Sequence, residues 1–174
     1  MAATAPVSLL AREIGKTGPF ASPEEEAYLN LLRSTSLIAR EFERLFQQFG
    51  LSEPLYNALR IAAGHGSAGV PTQTIGKQLV AHDPDVTRLV DRLEKAGLVQ
   101  RERCEKDRRV VFVKITAAGR SKLKSVEAPG NALLKQLLGH VGKARLGELI
   151  SLLEEVRKPH LPAEVLGPTE PKAK

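Results

Sequence analysis

A change of hydrophobic period constrains this chain more than any other feature. Val86, Leu89, Val90 and Leu93 recur at i, i+3, i+4 and i+7, one buried stripe of a helix that runs to Ala96-Gly97. The pattern then alternates. Leu98 to Arg103 reads as a strand, Cys104 to Arg108 as a polar turn, and Arg109 to Ile115, rich in β-branched residues, as a second strand. A helix that hands over directly to a β-hairpin with a charged tip leaves few architectures open.

The flanking segments narrow them further. Ser22-Pro23-Glu24-Glu25 starts a long helix with a capping Ser, Pro at the first helical position and acids in the first turn. Leu31, Ile38, Phe42, Leu45 and Phe49 share one face of it, and Gly50 ends it. Ser52-Glu53-Pro54 opens a second helix, with Leu55, Leu59 and Ala62/Ala63 on its buried side. After a turn-rich loop in which Val70 can add a short strand, Thr72 caps a short helix that buries Ile75 and Leu79, and Asp83-Pro84 caps the striped one. Thr116 caps a further long helix, which Pro129-Gly130 is expected to break or kink, and a last helix runs from Lys143 to about Lys158. The Leu-rich, Trp-free composition, with 4% aromatic residues, suits helix packing. The expected fold is mainly α with a small β-hairpin wing: a winged helix-turn-helix flanked by long helices. In that plan one short helix braces, and the next presents its exposed face to the DNA major groove.

Charge points the same way. Of 26 Lys/Arg and 20 Asp/Glu, the segment from Thr74 to Lys124 holds 13 and 7, a net +6, and the remainder holds 13 of each. The whole excess therefore lies in one central stretch, the footprint of a nucleic-acid-binding module, although a solvated basic face without a partner would carry the same charge. No apolar run reaches membrane-spanning length, and Arg12 and Glu13 interrupt the Val7–Leu10 run before it makes a signal-peptide core, so the chain reads as cytoplasmic. A single cysteine excludes an internal disulfide framework. His65, His82, His140 and His160 are dispersed, so no metal site is expected. No cofactor fingerprint, phosphate loop or nucleophile-base arrangement is visible, and neither a cofactor nor an enzyme is expected.

The run from Asp85 to Val99 (DVTRLVDRLEKAGLV), then Asp107-Arg108-Arg109, then Val113 to Gly119 (VKITAAG) resembles the MarR family of bacterial transcription regulators. The resemblance is dense from about Pro54 to Gly119, and the helix plan on both sides fits. It implies a homodimer in which N- and C-terminal helices of two subunits interlock. The apolar surface of the outer helices, more than a small wing domain can cover, agrees with that independently. Together with composition this gives a Pro- and Gly-bearing flexible arm at 1–22, with a helical turn or two around Leu9 to Ile14, a dimerisation helix at 23–50, the DNA-binding domain at 51–119, C-terminal dimerisation helices at 120–158 and a tail at 159–174 whose four Pro point to disorder. A two-fold dimer would read half-sites about 10 bp apart on a pseudo-palindrome.

The resemblance also implies roles. Asp83, Asp85, Thr87 and Arg88 match the start of the recognition helix, where Asp83 is either a contact or only a cap; helical spacing puts Asp85, Thr87, Arg88, Asp91, Arg92 and Lys95 on its exposed face. Gln73, Thr74 and Lys77 are expected at phosphates, with Gly76 where the family usually has Ala. Arg101 matches a backbone-contacting position at the base of the wing. Arg109 resembles the minor-groove arginine, Asp107 its brace, and Arg108 a phosphate contact. Phe46, Phe49, Tyr56, Arg60 and His65 are candidates to line a cleft for a small phenolic or aromatic anion, with core packing the competing reading of the Phe residues. The expected function is a repressor of double-stranded DNA released by such a ligand. The alternatives are an interaction module whose basic hairpin binds a protein or nonspecific nucleic acid, and a redox switch through Cys104.

Overall fold

The structure is a computed structural model and describes residues 8–81, 83, 85–104 and 110–166. Helices dominate, and the chain divides into two compact units after Gly130.

In the first unit a short helix α1 (Leu9–Glu13) precedes the long α2 (Pro23–Gln48). Leu10 and Ala11 of α1 are buried, and Glu13 pairs with Arg33 of α2 at 2.9 Å. The Ser22 hydroxyl accepts the Glu25 amide at 3.2 Å and holds the Glu24 carboxyl below the usual carboxylate range. At the other end the Leu51 amide reaches back to the Phe46 carbonyl across Gly50, whose φ of 67° is open to glycine. The buried residue of α2 is Phe46, not the Leu31–Phe49 stripe expected from the spacing: Leu31 is exposed, and Ile38, Phe42, Leu45 and Phe49 are half-buried. Only the C-terminal end of α2 meets the core.

Then come α3 (Glu53–Gly64), strand β1 (Val70–Pro71), α4 (Thr72–Gln78), α5 (Val86–Lys95), β2 (Val99–Arg103) and β3 (Val111–Ile115). The strands form one antiparallel sheet in the order β1-β3-β2, with Val70 opposite Val113 and Val99 opposite Ile115. The helix starts differ from expectation by a residue or two. Thr72 is the first residue of α4 with no capping bond, and the cap of α5 is Asp85, whose carboxylate accepts the Arg88 amide at 3.1 Å. Asp83 instead accepts the Asp85 amide at 2.8 Å, a turn that delivers the chain to that cap. The core joins Phe46, Leu51, Leu55, Leu59, Ile75, Leu89, Val90, Leu93, Val99, Val113 and Val126.

Helix α6 (Ala117–Leu138) closes this core with Val126 and Leu123. Of the break or kink expected at Pro129-Gly130, the break does not occur: the helix continues through Pro129. An interior proline removes one helix hydrogen bond, and the ladder on either side carries the helix across it. Its start is tightly built. The Thr116 hydroxyl donates to the Gly97 carbonyl at 2.7 Å and accepts the Gly119 amide at 3.0 Å, while the Thr116 amide bonds the Leu98 carbonyl at 3.1 Å. Lys122 Nζ donates to the Phe49 carbonyl at 3.2 Å, tying α6 to the end of α2.

The second unit holds the end of α6, a 3-10 turn, α7 (Lys143–Arg157), another 3-10 turn at Lys158–His160 and the short α8 (Ala163–Leu166). The segment from 159, expected to be disordered, thus keeps helical turns as far as Leu166. No described residue of this unit is buried, and Ile150, Leu152 and Val156 are more than half exposed. Among the described residues, no helix is long and apolar enough to cross a membrane.

A Cβ at Gly119 would collide with the Leu98 carbonyl and lie 2.8 Å from Ile115. Gly119→Ala is therefore expected to destabilise the protein by about 1–3 kcal/mol, as overpacking does, read as a lower midpoint in urea or thermal melts.

Candidate nucleic-acid interface

Helix α5 buries Leu89, Val90 and Leu93 against α3, α4 and the sheet, which leaves the opposite face to solvent. Thr87, Arg88, Arg92 and Lys95 are exposed there. A shallow groove of about 450 Å³ runs along this face between Asp83 and Asp85 at one end and Arg92 and Lys95 at the other. Arg88 pairs with Asp85 at 3.4 Å, yet its side chain is 83% exposed, so the guanidinium stays available to a ligand. Such an exposed pair contributes little to stability. Asp85, a candidate contact, is already engaged: its carboxylate serves the Arg88 amide and side chain.

Helix α4 crosses close to the start of α5. A Cβ on Gly76 would sit 3.0 Å from Val86 Cγ2, so glycine here permits a tight approach of the two helices. Gln73 and Lys77 are exposed on α4, and Thr74 is half-buried. These residues and the α5 cations sit on adjoining elements of the first unit.

Arg101 of β2 does not stand free. Its side chain is 26% exposed and is held by α5: Nη1 donates to Asp91 and, at 3.4 Å, to Glu94, and Nη2 donates to the Thr87 carbonyl at 3.1 Å. Its backbone amide donates to Glu94 at 3.1 Å as well. Asp91, read from the sequence as part of the exposed face of this helix, is thus engaged by Arg101 together with Glu94, which the sequence reading did not single out. Farther along the hairpin Lys114 pairs with Glu102 at 2.6 Å, and the Cys104 amide bonds the Val110 carbonyl at 3.0 Å. Cys104 is half-buried. The wing-tip residues Asp107, Arg108 and Arg109 lie outside the described residues, as does His82.

The candidate cleft residues do not all come together. Phe46 and Tyr56 stack at 4.7 Å, Phe42 joins Phe46 at 5.8 Å, and Phe49 packs on the same core. These rings join α2 to α3. Arg60 is exposed, its guanidinium 5.9 Å from the Tyr56 ring centre. His65 faces elsewhere and pairs with Gln78 of α4 at 3.1 Å. Among the described residues no group of three or more His, Cys, Asp or Glu is placed to hold a metal ion.

Comparison with known proteins agrees with this architecture. The MarR family model matches residues 51–111. The organic hydroperoxide resistance transcriptional regulator of Bacillus subtilis is 28% identical over 137 residues, covering 78% of this chain and 92% of that protein. A MarR family transcriptional regulator of Streptomyces coelicolor, solved in complex with DNA, shares the fold with a TM-score of 0.75 at 21% identity, over 83% of this chain and 96% of that one. A MarR transcription factor from Planctomyces limnophilus is 41% identical, over 78% of this chain and 98% of that one, with a TM-score of 0.61. The winged-helix core, its matched family model and a relative of that identity over nearly its whole length make this chain a member of the MarR family of transcription regulators.

Proposed function

We propose that this protein is a homodimeric repressor that binds a pseudo-palindromic operator in the cytoplasm and is released by a small aromatic anion. The observation that carries the DNA-binding part is the outer face of α5, where Thr87, Arg88 and Arg92 are exposed while the acids nearest them are engaged by the protein itself. An exposed Arg can bond guanine in the major groove, and Thr can serve a base edge or a phosphate. Gln73, Thr74 and Lys77 would follow the backbone, and Arg109 at the wing tip would enter the minor groove with Asp107 as brace and Arg108 on a phosphate. That a Streptomyces coelicolor regulator of the same fold was solved in complex with DNA supports the DNA-binding part of this reading.

The dimer reading rests on uncovered apolar surface. Tyr28 and Leu32 of α2 are 59% and 50% exposed, and α7 exposes Ile150, Leu152 and Val156. Apolar surface gathered on helices in this way marks an association face, and a second copy of the chain supplies a matching one. The ligand would enter beside Tyr56, where Arg60 offers a cation next to an aromatic ring. Release would follow if the ligand favours a spacing of the two recognition helices that misfits the half-sites.

The decisive test is fluorescence-anisotropy titration of DNA from the protein's own upstream region against matched random DNA, at several salt concentrations. Sequence-selective binding at dimer stoichiometry supports the reading; equal, weak binding to both DNAs with only a steep salt slope overturns it. In that assay Arg88→Ala and Arg109→Ala are each expected to weaken specific binding by about 1–3 kcal/mol, whereas Lys77→Ala should weaken both DNAs alike and lower the salt slope by about 1. Leu152→Glu is expected to shift sedimentation toward the mass of one chain. Arg60→Ala, at an exposed position, should leave operator binding intact and weaken the response to phenolic anions.

A further inference from the structure

The matched family position of Arg101 suggests a contact with the DNA backbone, but the geometry points to a different role. We infer that Arg101 is a positioning residue that fastens the wing to the recognition helix, with Asp91, Glu94 and the Thr87 carbonyl as its receptor. The inference rests on the DNA-binding reading above for its consequence, though not for the clamp itself.

Four contacts run between one residue of β2 and one face of α5. The guanidinium reaches Asp91, Glu94 and the Thr87 carbonyl, and the amide of the same residue reaches Glu94. A planar guanidinium presents its donors in a fixed fork, so it can hold two carboxylates and a carbonyl at once, which a Lys ammonium on a flexible stem does less well. The carbonyl of Thr87 has a second lone pair to give to a side chain. Arg101 is mostly covered by these partners, at 26% side-chain exposure, while Arg88 on the same surface is 83% exposed. The sheet register continues the linkage: Arg101 lies opposite Val113, a fully buried residue of β3, so α5 is tied through Arg101 to both strands of the wing. A helix in one groove and a wing in the next must keep a fixed separation to bind together, and this clamp would set it.

The clamp also disposes of two negative charges. Asp91 and Glu94 stand on the helix that faces a polyanion, where an unpaired carboxylate would repel phosphate. Paired with Arg101, they cost little. This gives the positioning role a signature opposite to simple electrostatics. Neutralising an acid beside DNA ordinarily strengthens binding. Here Asp91→Asn with Glu94→Gln is expected to weaken operator binding about tenfold, because the charged hydrogen bonds that hold the wing are lost.

The experiment has two independent readouts on the full-length protein. The first is amide hydrogen exchange of the free protein. Arg101→Met, and separately Asp91→Asn/Glu94→Gln, should accelerate exchange in β2 and the start of α5 while the amides of α3 keep their protection. Unchanged exchange in β2 for both variants overturns the clamp, whatever the DNA result. The second is the operator titration across salt. A positioning role predicts that both variants lose operator affinity and retain random-DNA affinity, with the salt slope unchanged; Arg101→Lys should recover part of the loss. If instead Arg101→Met lowers the slope by about 0.9, the change for one lost phosphate contact, and the acid variants bind operator more tightly, Arg101 is a backbone contact and the inference fails. Wild-type protein that shows no operator preference sinks the DNA-binding reading alone, since the exchange readout still judges the clamp.

Discussion

The Leu98 carbonyl accepts the Thr116 amide, the Thr116 hydroxyl donates to the neighbouring Gly97 carbonyl, and Gly119 lies against Leu98 with no room for a Cβ. At this joint the end of α5, the base of both wing strands and the start of α6 are held within a few residues of one another. Gly97, at a φ of 70°, turns the chain out of α5 so that Leu98 can enter the joint. The direction of the wing, the path of α6 over the core and the Lys122 link back to the end of α2 all follow from it. A side chain at position 119 would push α6 off the sheet, and the core around Val126 would open with it.

The electrostatics of the site follow from where that joint puts the hairpin. The central segment carries its net +6 as 13 cations and 7 acids. The described acids are turned to structural use. Asp83 and Asp85 build the start of α5, Asp91 and Glu94 hold Arg101, and Glu102 meets Lys114. What remains toward solvent on α4 and α5 is mostly positive: Lys77, Arg88, Arg92 and Lys95. A modest net charge thus becomes a mostly positive surface, because each described carboxylate of the segment is spent on a backbone amide or on a neighbouring cation. Surfaces of this kind attract polyanions at a distance and are screened by salt.

Outside this core the chain is organised differently. The N-terminal two-thirds of α2 and the whole of α7 place apolar side chains on surfaces that one chain leaves open. A helix whose stripe is exposed in isolation gains stability only when something covers it. Along the Leu31–Phe49 periodicity Leu31 is exposed and the later members are half-buried, while Phe46, one residue off the stripe, is the buried residue of α2.

The amino-acid sequence by itself determined the element order, the helix caps to within a residue or two, the hairpin and the location of the charge. All of these depend on neighbours near in sequence: the 3.6 and 2.0 periods, Gly at the turns, and Ser, Thr or Asp where helices begin. The family resemblance, carried by residues 85 to 119, was legible for the same reason. The sequence did not reveal that Arg101 faces α5 instead of solvent, that Asp85 rather than Asp83 caps the helix, or that His65 pairs with Gln78 of α4. Each of these is a choice among partners that are equally available along the chain. Arg101 and Asp91 are ten residues apart, and nothing in their spacing brings a strand residue onto the preceding helix. Tertiary packing does so, because the core fixes the distance and angle between α5 and the hairpin, and only then does one guanidinium find two carboxylates and a carbonyl within reach.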